Sequence, residues 1–152
     1  MANTQAMCTT FMEELMEGIH NFTTGTGNTF KAALYLASAT YNASTTAYST
    51  TGEVTGTGYT PGGVTVTNGT SPLATNTSAT AGTAYWTPSA SITYTSVTLA
   101  TAFDAVLIYN SSASNRAVSV HTFGSQTITA GTFTLTMPSN TTSTALIRLA
   151  TT

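Results

Sequence analysis

The chain has 152 residues, of which 5% are charged, with Lys+Arg 3, Asp+Glu 5 and a formal net charge of −2. Soluble domains usually carry about 25% charged residues, and so few cations leave no electrostatic footprint for nucleic acid, no polybasic membrane patch and no steering of charged substrates. Thr, about a quarter of the residues, takes the place of charge; being β-branched, it suits a pleated surface and disfavours helix.

Residues 4–22 stand apart. They hold three of the five acids, and Phe11, Leu15, Ile19 and Phe22 recur at helical spacing, widened by Met7, Cys8, Met12 and Met16. Glu13, Glu14, Glu17 and His20 fall on the opposite arc. The pattern predicts an amphipathic helix of four to five turns, capped at Asn3 or Thr4 and ended by Asn21 and the Thr-Gly run that follows. Composition divides the chain into a helix and linker (1–28) and a β domain (29–152).

Period two begins at Phe30. Residues 30–37 alternate as a strand, with a short one expected near Ala47 and Tyr48. Residues 52–63 (GEVTGTGYTPGG) hold five glycines and a proline, which predict a loop of several tight turns. Residues 64–67 form a strand, and 68–81 a long loop. Strands then follow at 85–86, 92–99 and 103–109. A hairpin loop at 111–115 leads into 117–123, and the set closes with Ile128, 133–137 and 146–149. The expected fold is mainly β: an antiparallel sandwich or jelly-roll-like body with one N-terminal amphipathic helix.

The hydrophobic fraction, 41%, is enough for one core, and the single cysteine, Cys8, excludes an intrachain disulfide framework. Cys8 is expected to be a buried, unreactive thiol. The start, MANTQ, shows no basic n-region followed by an apolar run, and no stretch approaches the roughly 18 apolar residues of a membrane span. Synthesis in a cytoplasm without export is the expectation.

Few residues suggest chemistry. Glu17 and His20 have the Glu-x-x-His spacing of di-metal bundles, but a second such helix is missing, so a polar helix face is the reading. Asp104 and His121 with one of the many serines make a triad by inventory only; no Gly-x-Ser-x-Gly elbow accompanies them. Asp104 is expected to pair with Arg116 across the hairpin, and His121 to be a partly buried, hydrogen-bonded side chain. The glycine-rich segment lacks the lysine and the strand-to-helix setting of a phosphate loop, and reads instead as a rigid contact loop. Tyr48, Tyr59, Tyr85 and Trp86 are candidates for a glycan-contacting surface. No catalytic, cofactor or metal residue is assigned.

The segments MANTQAMC, FMEELMEGIHNF, TFKAALYLASAT, TGEVTGTGYTPGGVTVTN, AFDAVLIYNSSASNRAVSVHTFGS, TITAGTFTLTMPSN and LIRLA cover most of the chain. In this pattern it resembles a family of small Thr-rich virion structural proteins of tailed bacteriophages. The resemblance implies a particle component of the head decoration, or cement, kind, found on the virion after synthesis in the host cytoplasm. The implied partners are the phage major capsid protein and further copies of the chain, with a trimer favoured, and neither nucleic acid nor membrane. A tail or fibre protein that binds host-surface glycans is the alternative. The residues expected at an interface are Phe11, Met12, Leu15, Met16, Ile19, Phe22, Tyr59 and Trp86.

Overall fold

A computed structural model describes residues 2–75 and 82–151. The chain is mainly β, with eight strands and one helix among the described residues: β1 (Ala6–Met7), α1 (Thr9–Met16), β2 (Phe30–Leu36), β3 (Val64–Thr65), β4 (Leu73–Ala74), β5 (Thr83–Trp86), β6 (Ile92–Asn110), β7 (Arg116–Leu135) and β8 (Ile147–Ala150). They form two antiparallel sheets, ordered β1-β7-β6-β2-β3 and β4-β5-β8. Of the two expected architectures, the sandwich-like one describes this five-plus-three arrangement. The loop expected at 68–81 contains β4, and its residues 76–81 lie outside the described residues.

Two long strands replace the five short segments expected between 92 and 137. The breaks expected at 100–102 (Ala-Thr-Ala) and 124–127 (Gly-Ser-Gln-Thr) do not turn the chain. Shifts in register absorb them, as between Leu99↔Ile128 and Phe103↔Gln126. Ser96 (φ 54°) and Ala130 (φ 46°) take left-handed conformations near such shifts, the local cost of a bulge in a continuous ladder. The expected hairpin loop does turn. Ser114 and Asn115 both have positive φ, and the Arg116 N–H donates to the Ala113 carbonyl, which is a type I′ turn.

The helix is two turns long, not four to five. At its start, Ala6 and Met7 pair with Val120 and Ser119, and the Cys8 N–H donates to the Val118 carbonyl. Hydrogen bonds to a sheet edge thus replace a first helical turn of marginal propensity. Cys8, rather than Asn3 or Thr4, is the N-cap, and it makes no side-chain capping bond. Asn3 is instead a buried anchor: its amide donates to the Leu36 carbonyl and to Asp104, and its oxygen accepts from the Tyr41 N–H. At the other end, Gly18 (φ 72°) follows the cap Glu17. Its N–H donates to the Leu15 carbonyl and that of Ile19 to the Glu14 carbonyl. This is a Schellman stop, and glycine enters it without a β-carbon penalty.

The N-terminal segment shares the core of the β domain, so the expected boundary at 28/29 is not a boundary in packing. Cys8, Phe11 and Phe22 belong to the same buried cluster as Phe30, Leu34 and Val106. Phe22 stacks on Phe30 of β2 at 4.3 Å, and Trp86 of β5 closes on Phe22 at 4.7 Å. These rings join the two sheets. The glycine-rich segment covers the edge of β2 beyond β3. The Leu36 N–H donates to Gly52 and the Val54 N–H to Leu34, while Thr57 bridges Thr98 of β6.

Candidate assembly surface

Four of the eight residues expected at an interface lie inside the chain's own core: Phe11, Phe22, Tyr59 and Trp86. The small sheet and the 52–63 segment fold back on the large sheet, and the aromatic rings are what they fold onto. Met12 and Met16 point outward, Met16 at 85% exposure, while Leu15 and Ile19 are half-buried. Beside Leu15 opens a groove of about 430 Å³. One wall is Leu15, Gly18 and residues 20–23; the other includes Ala84, Ile147 and Leu149 of the small sheet. In the β5–β8 register Trp86 faces Ile147 and Ala84 faces Leu149, so these four share one sheet face. Trp86 and Ile147 are buried, yet Leu149 is 49% exposed. The inner face of the small sheet therefore runs past the core that covers it and leaves apolar surface open next to α1.

A buried polar network stands behind this groove. Glu14 was expected on the solvated helix face with Glu13, Glu17 and His20. Instead Glu14 and His20 are buried, while Glu13 and Glu17 are exposed. The Glu17/His20 spacing brings nothing together; His20 bonds Glu14 at 2.6 Å. The Asn110 oxygen accepts from the Ser112 N–H, so its amide nitrogen is the donor, to His20 Nδ1 and to Asn28. His20 Nδ1 is then an acceptor, and Nε2 carries the proton toward Glu14. The other Glu14 oxygen accepts from Arg116. Arg116 therefore meets Glu14 and not Asp104. The register explains this: Arg116 pairs with Asn110 at the turn, whereas Asp104 lies past Ala105↔Thr122, down the hairpin.

Removing Glu14 would leave a buried imidazole and a partly exposed guanidinium without their acceptor. Glu14→Ala is expected to cost about 2–3 kcal/mol, below the full figure for a buried pair because Arg116 is 42% exposed. The shift in denaturant midpoint measures it.

A second buried acid holds the glycine-rich segment. Glu53 accepts hydrogen bonds from the hydroxyls of Tyr48 (2.6 Å) and Tyr59 (2.7 Å) and from the Gly62 N–H (2.7 Å). The Tyr59 hydroxyl in turn accepts from the Leu34 N–H of β2, and the Tyr109 hydroxyl donates to the Gly62 carbonyl. The expected contact loop is thus rigid because it is tied inward. Of the aromatic surface suggested for glycans, Tyr48 and Tyr85 stay partly exposed, Tyr85 in the wall of the groove. Tyr59 and Trp86 are buried, and Tyr48 stacks on Tyr109 at 4.7 Å. The Trp86 indole N–H is taken by Asn68 and the Thr70 carbonyl.

The triad by inventory does not come together as one. His121 Nε2 lies 2.8 Å from Ser119 Oγ, but Ser119 is buried, and Asp104 accepts from Asn3 at 2.6 Å. None of the three cavities described is lined by Ser119, His121 or Asp104. Burial pushes His121 from 6.5 down to about 4. The unfolded chain therefore binds a proton at this site between about pH 6.5 and 4 that the folded chain refuses, and stability falls as pH is lowered through that window. The expected loss is roughly 2–3 kcal/mol, flat below pH 4 for this group. Denaturation of the wild type and His121→Gln across this range checks it, since the substitution removes this part of the slope.

Cys8 is fully buried, and burial, with Glu14 nearby, raises its thiol to about 11. Among the described residues no three His, Cys, Asp or Glu side chains cluster to hold a metal ion, and no helix is long and apolar enough to cross a membrane. Compared with protein-family models, curated proteins and solved structures, the chain matches none.

Proposed function

We propose that this chain is a structural component of a tailed-phage particle, a head decoration protein that binds the shell of major capsid protein and neighbouring copies of itself. One observation carries the reading. The buried polar side chains Glu14, His20, Glu53 and Asn110 are bonded to other parts of the fold, while apolar side chains of α1 and β8 stand open beside one another. Such a molecule offers surface to fit rather than groups to react. The resemblance to Thr-rich virion proteins supplies the setting. Many weak contacts, repeated by particle symmetry, sum to firm attachment. The tail-fibre alternative keeps only part of its surface, because Tyr59 and Trp86 are turned into the core while Tyr48 and Tyr85 are partly exposed. The test is to label the protein on purified particles and image them. Density on the head shell is expected; label confined to the tail, or absent from the particle, overturns the reading.

A further inference from the structure

We infer that the contact between His20 and Asn110 is a proton-sensitive latch: a second proton on the His20 ring breaks it and frees the segment after α1 from the end of the β6–β7 hairpin.

The wiring is fixed from both ends by backbone donors, whose sense is unambiguous. The Ser112 N–H donates to Asn110 Oδ1, and the Asn21 N–H donates to Asn28 Oδ1. Asn110 Nδ2 thus faces two acceptors, Asn28 Oδ1 at 2.9 Å and His20 Nδ1 at 3.0 Å. The imidazole keeps its single proton on Nε2, 2.6 Å from Glu14 Oε2. Both ring nitrogens are taken, and Asn110 and the His20 side chain are fully buried.

A second proton has no place in this arrangement. It would sit on Nδ1 and point at the Asn110 amide NH2, donor against donor. Asn110 can offer its oxygen only by turning over. That breaks its bonds to Ser112 and Asn28 together and sets its NH2 against the Ser112 N–H. The charges oppose the proton as well. Glu14 is already matched by Arg116 of β7, which bonds its other oxygen. Cys8, beside Glu14, is a neutral thiol, and Glu13 and Glu17 are exposed. The remaining neighbours of the ring are Phe11, Phe22 and Phe30. The protonated cluster would carry one unmatched positive charge out of reach of water.

Opening relieves both faults, because water then solvates the imidazolium. The open form binds the proton more tightly than the closed one, so falling pH opens the latch. The neighbours set what moves. Phe22, two residues on, stacks on Phe30 and meets Trp86, and residues 20–23 wall the groove. The latch therefore couples a proton to the shape of that groove.

The experiment follows the fluorescence of Trp86, the chain's one tryptophan, as pH is lowered from about 8 to 5, the range in which an imidazole titrates. Circular dichroism is read on the same samples. The wild type is expected to show a reversible step in emission, with the slope of a single proton, while its circular dichroism is unchanged. His121→Gln removes the other histidine and should keep the step. His20→Gln leaves Glu14 and Arg116 in place and should lose it. Asn110→Asp discriminates further. Its carboxylate accepts from the Ser112 N–H and from Nδ1–H of a protonated His20, so the closed form holds the second proton and the step should vanish. A merely structural role for Asn110 predicts the reverse, a weakened contact that opens at higher pH. A flat Trp86 signal in the wild type, a step that survives His20→Gln, or an Asn110→Asp step moved to higher pH overturns the inference. Should Asn110→Asp not fold, as its circular dichroism at about pH 8 would show, His20→Gln decides alone.

Discussion

Above pH 10 the protein is expected to unfold in a single cooperative step, with its buried tyrosines ionising together as the fold is lost. Burial, the largest cause in each case, raises Tyr35, Tyr41, Tyr48, Tyr59, Tyr94 and Tyr109 above the ordinary value of 10, Tyr109 to about 12. The Glu53 carboxylate adds to the rise in all six. It is itself buried among them, so a phenolate would form beside an existing negative charge. The sign follows directly. Above pH 10 the unfolded chain sheds phenolic protons that the folded chain keeps, so stability falls as pH rises. Each such group contributes about 1.4 kcal/mol per pH unit. Tyr48 is partly exposed and counts for less. Five or six groups then remove roughly 5–8 kcal/mol by pH 11, comparable with the 5–15 kcal/mol that holds a typical domain together. Tyrosinate absorbance and circular dichroism, followed together, should change at one midpoint. Tyrosinate rising smoothly from pH 10 over an intact fold would contradict the packing described for the glycine-rich segment.

Gly63→Ala is expected to cost about 4 kcal/mol or to prevent folding, while Gly18→Ala should cost only about 1 kcal/mol. Both glycines have nearly the same backbone, φ 71° and 72°. Their surroundings differ. A methyl group on Gly18 meets nothing within 4 Å, so the substitution carries only left-handed strain. On Gly63 it would lie 1.7 Å from the Ala32 carbonyl oxygen and 2.5 Å from the carbonyl carbon. Ala32 is fully buried in the centre of the sheet, paired with Val64 of β3 and Ile108 of β6. Backbone held on both sides cannot step aside, so relief requires giving up the β2–β3 pairing. Denaturant titration of the two variants separates the clash from the strain. Equal losses would mean that the close approach at Gly63 is not real.

How much of this was legible in the sequence depended on how far apart the partners lie. The Schellman stop was written in Gly18, although the apolar pattern running past it to Phe22 argued for a longer helix. Strand β2 and the turn before Arg116 were legible because alternation and turn residues are local signals. The helix start was hidden, since Ala6 and Met7 suit a helix as well as a strand, and only the distant Val120 and Ser119 decide between them. Glu14 looked like a surface acid because its guanidinium partner stands 102 positions away. The Glu53 cluster was closer to being readable. Its donors lie 5, 6 and 9 positions from it, and an acid between two tyrosines in a glycine-rich run is a local pattern. The groove had no such signature. It arises where the small sheet overruns the core, which is a property of how the sheets meet rather than of any one segment.

The most direct measurement of the proposed role is the copy number of this protein per purified phage particle. Quantitative mass spectrometry against the major capsid protein should find it in the hundreds, as a shell-covering component requires. A handful of copies per particle, or none, would contradict a role built on repeated contacts across the head.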